Sequence, residues 1–280
     1  MSGRADVKEA IRRIVSGLMD KVMDRVLVTD PFVVEAHHAS KPLYAALVPD
    51  EIFKGSHFER RFVTPFGGVW EKLATVVAES YHGKCTKGYT VRGTVAKERL
   101  RRIQETLNRL EHPDPKTGKR PKPNFATELA YILSGGGDLV PCEVVCDIFV
   151  ENIKNHQKLA FELKGPLPNS DQTKVSKEKI LKLLAMTPRV VDGAFYALVY
   201  NPYGKQREDY AWSFPSRWFD MHNDTSVLIG EEFWDMIGGT GTYQGFISEI
   251  NKLGKGYRER IYREFLCIEP PVETVYSGLR

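Results

Sequence analysis

Two apolar runs joined by a short polar segment constrain the fold of this chain more than any other feature of its sequence. Apolar and β-branched residues extend from Val144 to Ile153, polar "KNHQK" follows, and a second run extends from Leu159 to Lys164. Runs of this length and composition are typical of β-strands, and two of them separated by a polar turn are typical of an antiparallel hairpin. The sequence therefore predicts a β-hairpin with a longer loop over residues 144–164.

Three charged residues lie inside this hairpin. Residues two apart in a strand share a face, so Glu162 and Lys164 are expected on one face, with Phe161 and Leu163 on the other, toward the core. Asp147 interrupts the first run, and the hairpin brings it near Glu162. A buried charge is costly unless it is paired or binds a metal. Two adjacent carboxylates also raise each other's pKa unless a cation lies between them. We therefore expect these two carboxylates to hold a cation.

The expected cation is Mg²⁺, for which Mn²⁺ is expected to substitute. Mg²⁺ takes oxygen ligands and commonly uses one or two carboxylates together with substrate phosphate. The backbone carbonyl of Leu163 could supply a further oxygen. This set suits hydrolysis of a phosphodiester, with Lys164 binding the attacking water or stabilising the charge that develops on the phosphate. The alternative is a structural hairpin with an ion pair at its surface, and the pattern alone leaves both open.

The segment "CDIFVENIKNHQKLAFELKG" resembles the active-site hairpin of the PD-(D/E)XK nucleases. Together with "FERRFVTPFGGVWEKLA", "FELKGPLPNSDQ" and "GEEFWDMIGG", over roughly residues 57–240, it is similar to a family of type II restriction endonucleases that cut GGNCC-type sites. The resemblance implies that Asp147, Glu162 and Lys164 are catalytic. The metal ligands expected on the hairpin are then the two carboxylates, together with the Leu163 carbonyl. Cys146 stands where the motif has proline, a position without a chemical role.

The resemblance implies further site residues outside the hairpin. Many members of the superfamily place a glutamate on a helix before the sheet, and Glu71 in "GGVWEKLA" is the matching residue, expected to be catalytic and to bind metal. The alternative for Glu71 is a solvent-facing helix charge. Gln172 and Lys174, at the start of the helix after the motif, are expected on the DNA-binding side, where Gln172 could orient water or backbone.

Positive charge is concentrated in one segment of a nearly neutral chain. The formal net charge is +4, yet residues 84–123 contain twelve Lys and Arg against four Asp and Glu. Such a block predicts a surface that binds a polyanion, here the DNA backbone. The alternative is a solvated helix followed by a loop. The residues in this block expected to contact DNA are Arg92, Lys97, Arg99, Arg101 and Arg102.

The remaining elements predict an α/β protein. Amphipathic helices are expected near the N-terminus, in "VWEKLATVVAESY", in "TVAKERLRRIQETLNRLEH", after Ser170 or Asp171, in "EEFWDMI" and in "INKLGKGYRERIYREFL". Strands are expected in "GAFYALVYNPYG", "YAWSFPSRWF" and "TSVLIG", and "TDPFVVEAHHASKPLYAALVPDEIF" is expected to be a linker. Strands flanked by helices in this order predict a central mixed β-sheet with helices on both sides, a restriction-endonuclease-like core. We expect one nuclease domain, 1–280, with an N-terminal helical region 1–56, a catalytic core 57–240 and a C-terminal helical extension 241–280.

Compartment and partners follow from composition and from the resemblance. No stretch approaches the ~20 apolar residues that span a bilayer, and the four scattered cysteines are expected to be reduced thiols, which predicts a cytoplasmic protein without a membrane partner. The resemblance implies double-stranded DNA as substrate, a homodimer, and a cognate DNA methyltransferase that protects host DNA. Two other functions stay open: a repair or recombination nuclease of low sequence specificity, and a non-catalytic DNA-binding module.

Overall fold

The computed structural model describes residues 2–271, and their side chains from residue 7 onward. The described chain forms two compact units. One comprises the chain up to Leu73 and from Gln244 onward, and the other comprises Ala74–Tyr243. Within the described residues no helix is both long and apolar enough to cross a membrane. The domain boundaries expected at residues 57 and 241 stay predictions, and residues 272–280 of the expected C-terminal extension lie outside the described residues.

The elements alternate between helices and strands in the middle of the chain. The α-helices are α1 (Ser2–Asp24), α2 (Val34–Ser40), α3 (Pro42–Ala45), α4 (Asp50–His82), α5 (Lys97–Glu111), α6 (Phe125–Leu133), α7 (Ser170–Ala185), α8 (Glu231–Gly238) and α9 (Thr242–Arg260). The strands are β1 (Gly83–Ala96), β2 (Leu139–Asn152), β3 (Lys158–Lys164), β4 (Gly193–Leu198) and β5 (Val227–Ile229). Short π-helical turns follow α1 and α9, at Arg25–Thr29 and Ile261–Leu266.

Aromatic side chains explain why α4 is one long helix. The structure contradicts the expected linker, which contains α2 and α3. The helix expected in "VWEKLATVVAESY" begins far earlier, at Asp50, and includes Pro65 and the two glycines before Val69. Aromatic residues recur every fourth position along α4, and side chains at this spacing are neighbours on one helix face. Their successive ring centroids lie 6.2, 5.1 and 5.1 Å apart, in the series Phe58, Phe62, Phe66, Trp70. This ladder stabilises the helix where its local sequence favours a break.

The second unit contains a single five-stranded mixed sheet in the order β1-β2-β3-β4-β5. β2 pairs antiparallel with both β1 and β3, and β4 pairs parallel with β3 and β5. Helix α7 packs on one face of the sheet, with α5 and α6 beside it. The opposite face carries Phe161, whose ring lies 5.8 Å from that of Phe233 on α8. The expected mixed sheet between helices is therefore confirmed, and it positions the charged hairpin in the middle of the fold.

The sequence analysis missed one strand of this unit, and two of its local expectations are wrong. The basic segment starts with a strand, β1. Its lysines, threonines and glycines do not form an apolar pattern typical of a strand, and it is a strand because it pairs with β2. The segment "YAWSFPSRWF" contains no strand; Pro215 begins a 3₁₀ turn, and Trp218 and Phe219 after it are buried in the core. The cap of α7 is neither Ser170 nor Asp171, because the Asn169 side chain accepts the hydrogen bond of a first-turn backbone N–H.

Candidate active site

Asp147 lies where strand β2 separates from β3. The β2–β3 ladder ends at the pair Ile148 and Phe161, whereas β3 continues for three more residues paired only with β4. The Asp147 carboxylate occupies the position beside these residues and accepts a hydrogen bond of 2.7 Å from the backbone N–H of Leu163. A carboxylate that accepts a backbone N–H is fixed in orientation. The Asp147 side chain can therefore lie beside β3 because the pairing of β2 with β3 stops at Ile148, one residue short of it.

The pairing between β1 and β2 is interrupted at the same level. Residues on either side of Gly88 pair with residues on either side of Asp147, but these two residues are not paired. Gly88 has φ +62°, a left-handed conformation that glycine adopts without the steric penalty of a side chain. A Cβ at Gly88 would meet no atom within 4 Å. The strand next to Asp147 therefore leaves open space at this position.

The ammonium of Lys164 lies among three oxygen-bearing groups. Its Nζ atom is 3.2 Å from Oδ2 of Asp147, 3.0 Å from the carbonyl oxygen of Leu163 and 3.6 Å from Oε2 of Glu162. Glu162 is 1% exposed, and the side chains of Asp147 and Lys164 are about one-fifth exposed. The structure thus brings together all four residues that the hairpin sequence singled out. It also shows that both faces of β3 are buried, because Phe161 and Ala160 are as buried as Glu162.

Lys179 is the site residue that the sequence analysis missed. From helix α7 its Nζ atom reaches both carboxylate oxygens of Glu162, at 2.9 and 3.1 Å. A signal for it exists in the sequence, because Lys179 flanks the apolar stripe of α7 that includes Ile180 and Leu183. A lysine next to a core-facing stripe extends its charged end along the buried surface. Its partner could not be identified without knowing how α7 crosses the sheet.

The two lysines beside Glu162 do not fully offset the factors that raise the pKa of its carboxyl group. Burial raises the pKa of the Glu162 carboxyl, and the charge of Asp147 raises it further. Lys164 and Lys179 act in the opposite direction, yet the pKa stays above its ordinary value. Beside Asp147, burial also raises the pKa of the Cys146 thiol to about 12, so this cysteine remains a neutral thiol. All four cysteines are free, as expected, although Cys267 is exposed.

The donor set fits a hard divalent cation. Two carboxylates and a backbone carbonyl, all oxygen, surround one ammonium, and an oxygen set of this kind is what Mg²⁺ prefers. The described residues, those of the hairpin included, contain no cluster of three or more His, Cys, Asp or Glu side chains arranged to hold a metal ion. The ligands available on the hairpin are therefore those of Asp147, Glu162 and Leu163, with the raised pKa of Glu162 as the sign that added positive charge would be stabilising.

Replacing Glu162 with glutamine should stabilise the metal-free protein at neutral pH. The pKa of this carboxyl is raised in the folded state, so the folded state holds the proton more tightly than the unfolded state. Wild-type stability therefore falls as pH rises from the ordinary glutamate pKa through the raised one. Glutamine does not titrate, so the advantage of Glu162→Gln should appear through that window and be absent below it. Urea unfolding in EDTA at pH 4 and pH 8 measures this.

The control for this prediction is Glu143→Gln. Glu143 is an exposed carboxylate on strand β2, and it pairs with Arg92. It should unfold close to the wild-type midpoint at both pH values, because surface pairs contribute little. A midpoint for Glu162→Gln below that of the wild type at pH 8 would contradict the electrostatic account of the site.

The remaining expected site residues lie outside this cluster. Glu71 is partly exposed on α4 and belongs to the first unit, so its catalytic and metal-binding role stays a prediction. Gln172 lies in the first turn of α7, where its backbone N–H donates to the Asn169 cap. Lys174 on the same helix pairs with Glu111 at 2.6 Å. These positions leave their expected DNA contacts as predictions.

The expected DNA-binding residues of the basic segment have partners within the protein. Arg92 and Lys97 pair with Glu143 and Asp138, at 2.9 and 3.1 Å. Three of the four arginines of α5 are in this expected set, and each forms ion pairs or hydrogen bonds with neighbouring groups. They are Arg99 with the carbonyls of Gly135 and Ala185, Arg101 with Glu98 and Glu105, and Arg102 with Glu98 and the carbonyl of Tyr131. Their role at DNA stays a prediction.

Fold and site together define a restriction-endonuclease-like protein, a mixed sheet whose central hairpin presents two carboxylates and a lysine. Comparison with known proteins agrees. The family model "Type II restriction endonuclease, HinfI" matches residues 7–254. The chain belongs to this HinfI family of type II restriction endonucleases. The resemblance to type II restriction endonucleases inferred from the hairpin and its flanking segments is thereby confirmed.

Curated relatives carry the same designation. The type II restriction enzyme HgiCII of Herpetosiphon aurantiacus is 26% identical over 230 residues, which cover 81% of this chain and 82% of the relative. The type II restriction enzyme HgiBI of the same organism is 27% identical over 232 residues, 81% of each chain. The similarity therefore extends over most of both proteins.

Proposed function

We propose that this protein is a Mg²⁺-dependent site-specific deoxyribonuclease that hydrolyses one phosphodiester in each strand of a short palindromic DNA site. Membership in the type II restriction endonuclease family supports DNA as the substrate. The single observation that carries the metal-dependent chemistry is the set of oxygens from Asp147, Leu163 and Glu162 around one ammonium. Mn²⁺ is expected to replace Mg²⁺, because both accept oxygen ligands.

The residues of the hairpin divide the chemistry between them. Asp147, Glu162 and the carbonyl of Leu163 would hold Mg²⁺, which when bound supplies the positive charge that phosphodiester hydrolysis requires. Lys164 now contacts these same oxygens. Once another cation neutralises them, its ammonium can donate to the attacking water or to the phosphate oxygens as negative charge develops. Lys179 keeps the Glu162 carboxylate oriented through its two contacts.

A palindrome requires two such sites. A sequence with two-fold symmetry is read most simply by two identical subunits related by the same axis. We therefore propose a homodimer on DNA, each chain cutting one strand, with GGNCC as the expected site. A DNA methyltransferase that modifies the same site would protect host DNA, and both proteins would act in the cytoplasm. Light scattering of the protein with a short duplex carrying one site tests the dimer, and a one-chain complex that only nicks DNA would contradict it.

Digestion of phage DNA in Mg²⁺ tests the proposed function as a whole. Discrete bands are expected, because cleavage at a fixed sequence gives fragments of fixed length. A smear would favour a repair or recombination nuclease of low specificity. Intact DNA with a gel shift would favour a non-catalytic DNA-binding module. Repeating the digest in Ca²⁺ should give binding without cutting, because Ca²⁺ occupies oxygen sites with looser geometry than Mg²⁺.

The role proposed for Glu71 has a separate test. If this carboxylate binds the metal, Glu71→Gln should reduce cleavage at least about tenfold without lowering the thermal midpoint. The reason is that loss of one negatively charged ligand weakens the binding of the ion that stabilises the transition state. Glu59→Gln is the matched control, an exposed glutamate on the same helix α4. If Glu71→Gln cleaves DNA as fast as the control, Glu71 is a surface charge of the helix without a role in the active site.

A further inference from the structure

Four cations of the basic segment are exposed and unpaired in one loop. The basic loop, residues 112–124, connects α5 to α6. Within the described part of the chain, its four basic side chains make no ion pair or hydrogen bond, and each is exposed: Lys116, Lys119, Arg120 and Lys122. The loop contains one acidic residue, Asp114. Concentrated unpaired positive charge of this kind is what a polyanion binds.

The basic loop has a defined backbone. The Asp114 carboxylate accepts hydrogen bonds from the backbone N–H groups of Lys116 and Thr117, at 2.8 and 3.0 Å. The backbone of Asp114 bonds to that of Lys119 at 2.9 Å and of Gly118 at 2.8 Å. Four prolines further restrict the backbone. Because the loop's only carboxylate binds the loop's own backbone, it does not pair with the lysines, and the backbone that carries Lys116 and Lys119 is held in place.

Helix α5, in the same basic segment, is different. The guanidinium of Arg101 contacts the carboxylates of Glu98 and Glu105, and that of Arg102 contacts Glu98 at 3.0 Å. A cation that is already paired with a carboxylate would have to break that pair to neutralise a phosphate, which offsets the gain from the counterions that the DNA releases. Affinity for DNA through released counterions is therefore available from the basic loop and not from this face of α5.

Helix α7 is ion-paired both to the start of the basic loop and to the catalytic hairpin. Glu111, the last residue of α5, pairs with Lys174 at 2.6 Å, which ties the start of the loop to the first turns of α7. Lys179, on the same helix, contacts Glu162. Five residues separate the two lysines, which corresponds to about 7.5 Å of rise and about 140° of rotation along the helix, so the two ion pairs lie on different sides of α7. Because DNA carries one phosphate charge per about 1.7 Å of its axis, a duplex bound at the hairpin extends phosphates past it that cations outside the hairpin can contact.

We propose that the basic loop supplies phosphate contacts that hold DNA beside the Glu162 site, in place of the contacts expected from Arg101 and Arg102 of α5. The partner is the sugar–phosphate backbone of double-stranded DNA, read without regard to sequence. This inference rests on the proposed function, because it concerns the same substrate. Its readout is binding, so it can be tested whether or not the protein cuts DNA.

The test compares two triple variants that each remove three positive charges. Lys116→Gln/Lys119→Gln/Lys122→Gln alters the basic loop, and a control changes three exposed, unpaired lysines elsewhere in the described chain: Lys21, Lys154 and Lys205. Binding of the full-length protein to a 30-bp duplex without a GGNCC site is measured in Ca²⁺ at about 0.05 to 0.2 M salt. Each lost phosphate contact should flatten the slope of log K against log salt by about 0.9 and weaken binding about fivefold at 0.15 M salt.

The loop variant should therefore bind on the order of 100-fold more weakly than the wild type, with a flatter slope, if all three contacts are lost. The control should keep the wild-type slope. An unchanged slope in the loop variant, or an equal loss in both triples, would overturn the proposal, as would a flattened slope in Arg101→Gln alone. A wild type that binds with a steep slope but never cuts in Mg²⁺ would refute the proposed nuclease function and leave the loop assignment standing.

Discussion

Substitution of Asp147 with asparagine or of Lys164 with methionine should reduce DNA cleavage by at least about 1000-fold, because residues that act as one catalytic unit lose most of the activity when any one is removed. Asparagine can still accept the hydrogen bond from the backbone N–H of Leu163. The fold should therefore persist while one charge of the cation site disappears. Single-turnover cleavage of a duplex carrying one recognition site, in Mg²⁺, measures the effect.

Matched controls for these variants come from the other end of the same hairpin. Glu151 and Lys158 are cross-strand partners in the β2–β3 ladder, away from the point where the strands separate. Glu151→Gln and Lys158→Met should cleave within about threefold of the wild type, since surface substitutions away from the site have small effects. Binding of DNA in Ca²⁺ should be retained by all four variants. Cleavage by Asp147→Asn within tenfold of the wild type would remove this residue from the site.

Replacement of Lys177 with methionine should give the largest loss of stability, about 3–5 kcal/mol, because it removes the only fully buried cation of the described chain that pairs with the buried carboxylate of Glu128. Lys177 is fully buried, and its ammonium lies 2.5 Å from Oε2 of Glu128, which is also buried. The ammonium donates a hydrogen bond to the carbonyl of Trp218 and lies 5.0 Å from the ring centre of Phe219. Without it, Glu128 retains the half-exposed Arg109 at 3.2 Å. Equilibrium urea unfolding measures the loss.

The cause of that loss can be separated from a simple packing defect. The double variant Lys177→Met/Glu128→Leu removes both charges and should recover much of the stability, because a buried ion pair replaced by apolar groups is often nearly neutral. Lys182→Met is the matched control, a lysine on the same helix that pairs at the surface with Glu178 at 2.6 Å. A single variant as stable as this control would show that the buried pair contributes little.

Local sequence determined those helices and strands whose hydrophobic pattern matches the face that they bury in the folded protein. The hairpin of β2 and β3 was predictable, because apolar runs of strand length with a polar turn between them have few alternative structures. So were the buried stripe of α1, including Ile11 and Val15, and strands β4 and β5. The site residues of the hairpin followed from this pairing, since the strand period fixes which side chains share a face.

Tertiary structure alone decided the elements whose local pattern is weak or misleading. β1 is an edge strand with many exposed polar residues, and only its ladder with β2 makes it a strand. The continuity of α4 through Pro65 depends on side-chain contacts that no local propensity describes. Lys179 reaches Glu162, and Lys177 reaches Glu128, because α7 crosses the sheet at one particular position and rotation. The physical reason is common to all of them: an interaction between residues far apart in sequence exists only once the chain has packed, so the sequence shows that a charge is present but not which partner it meets.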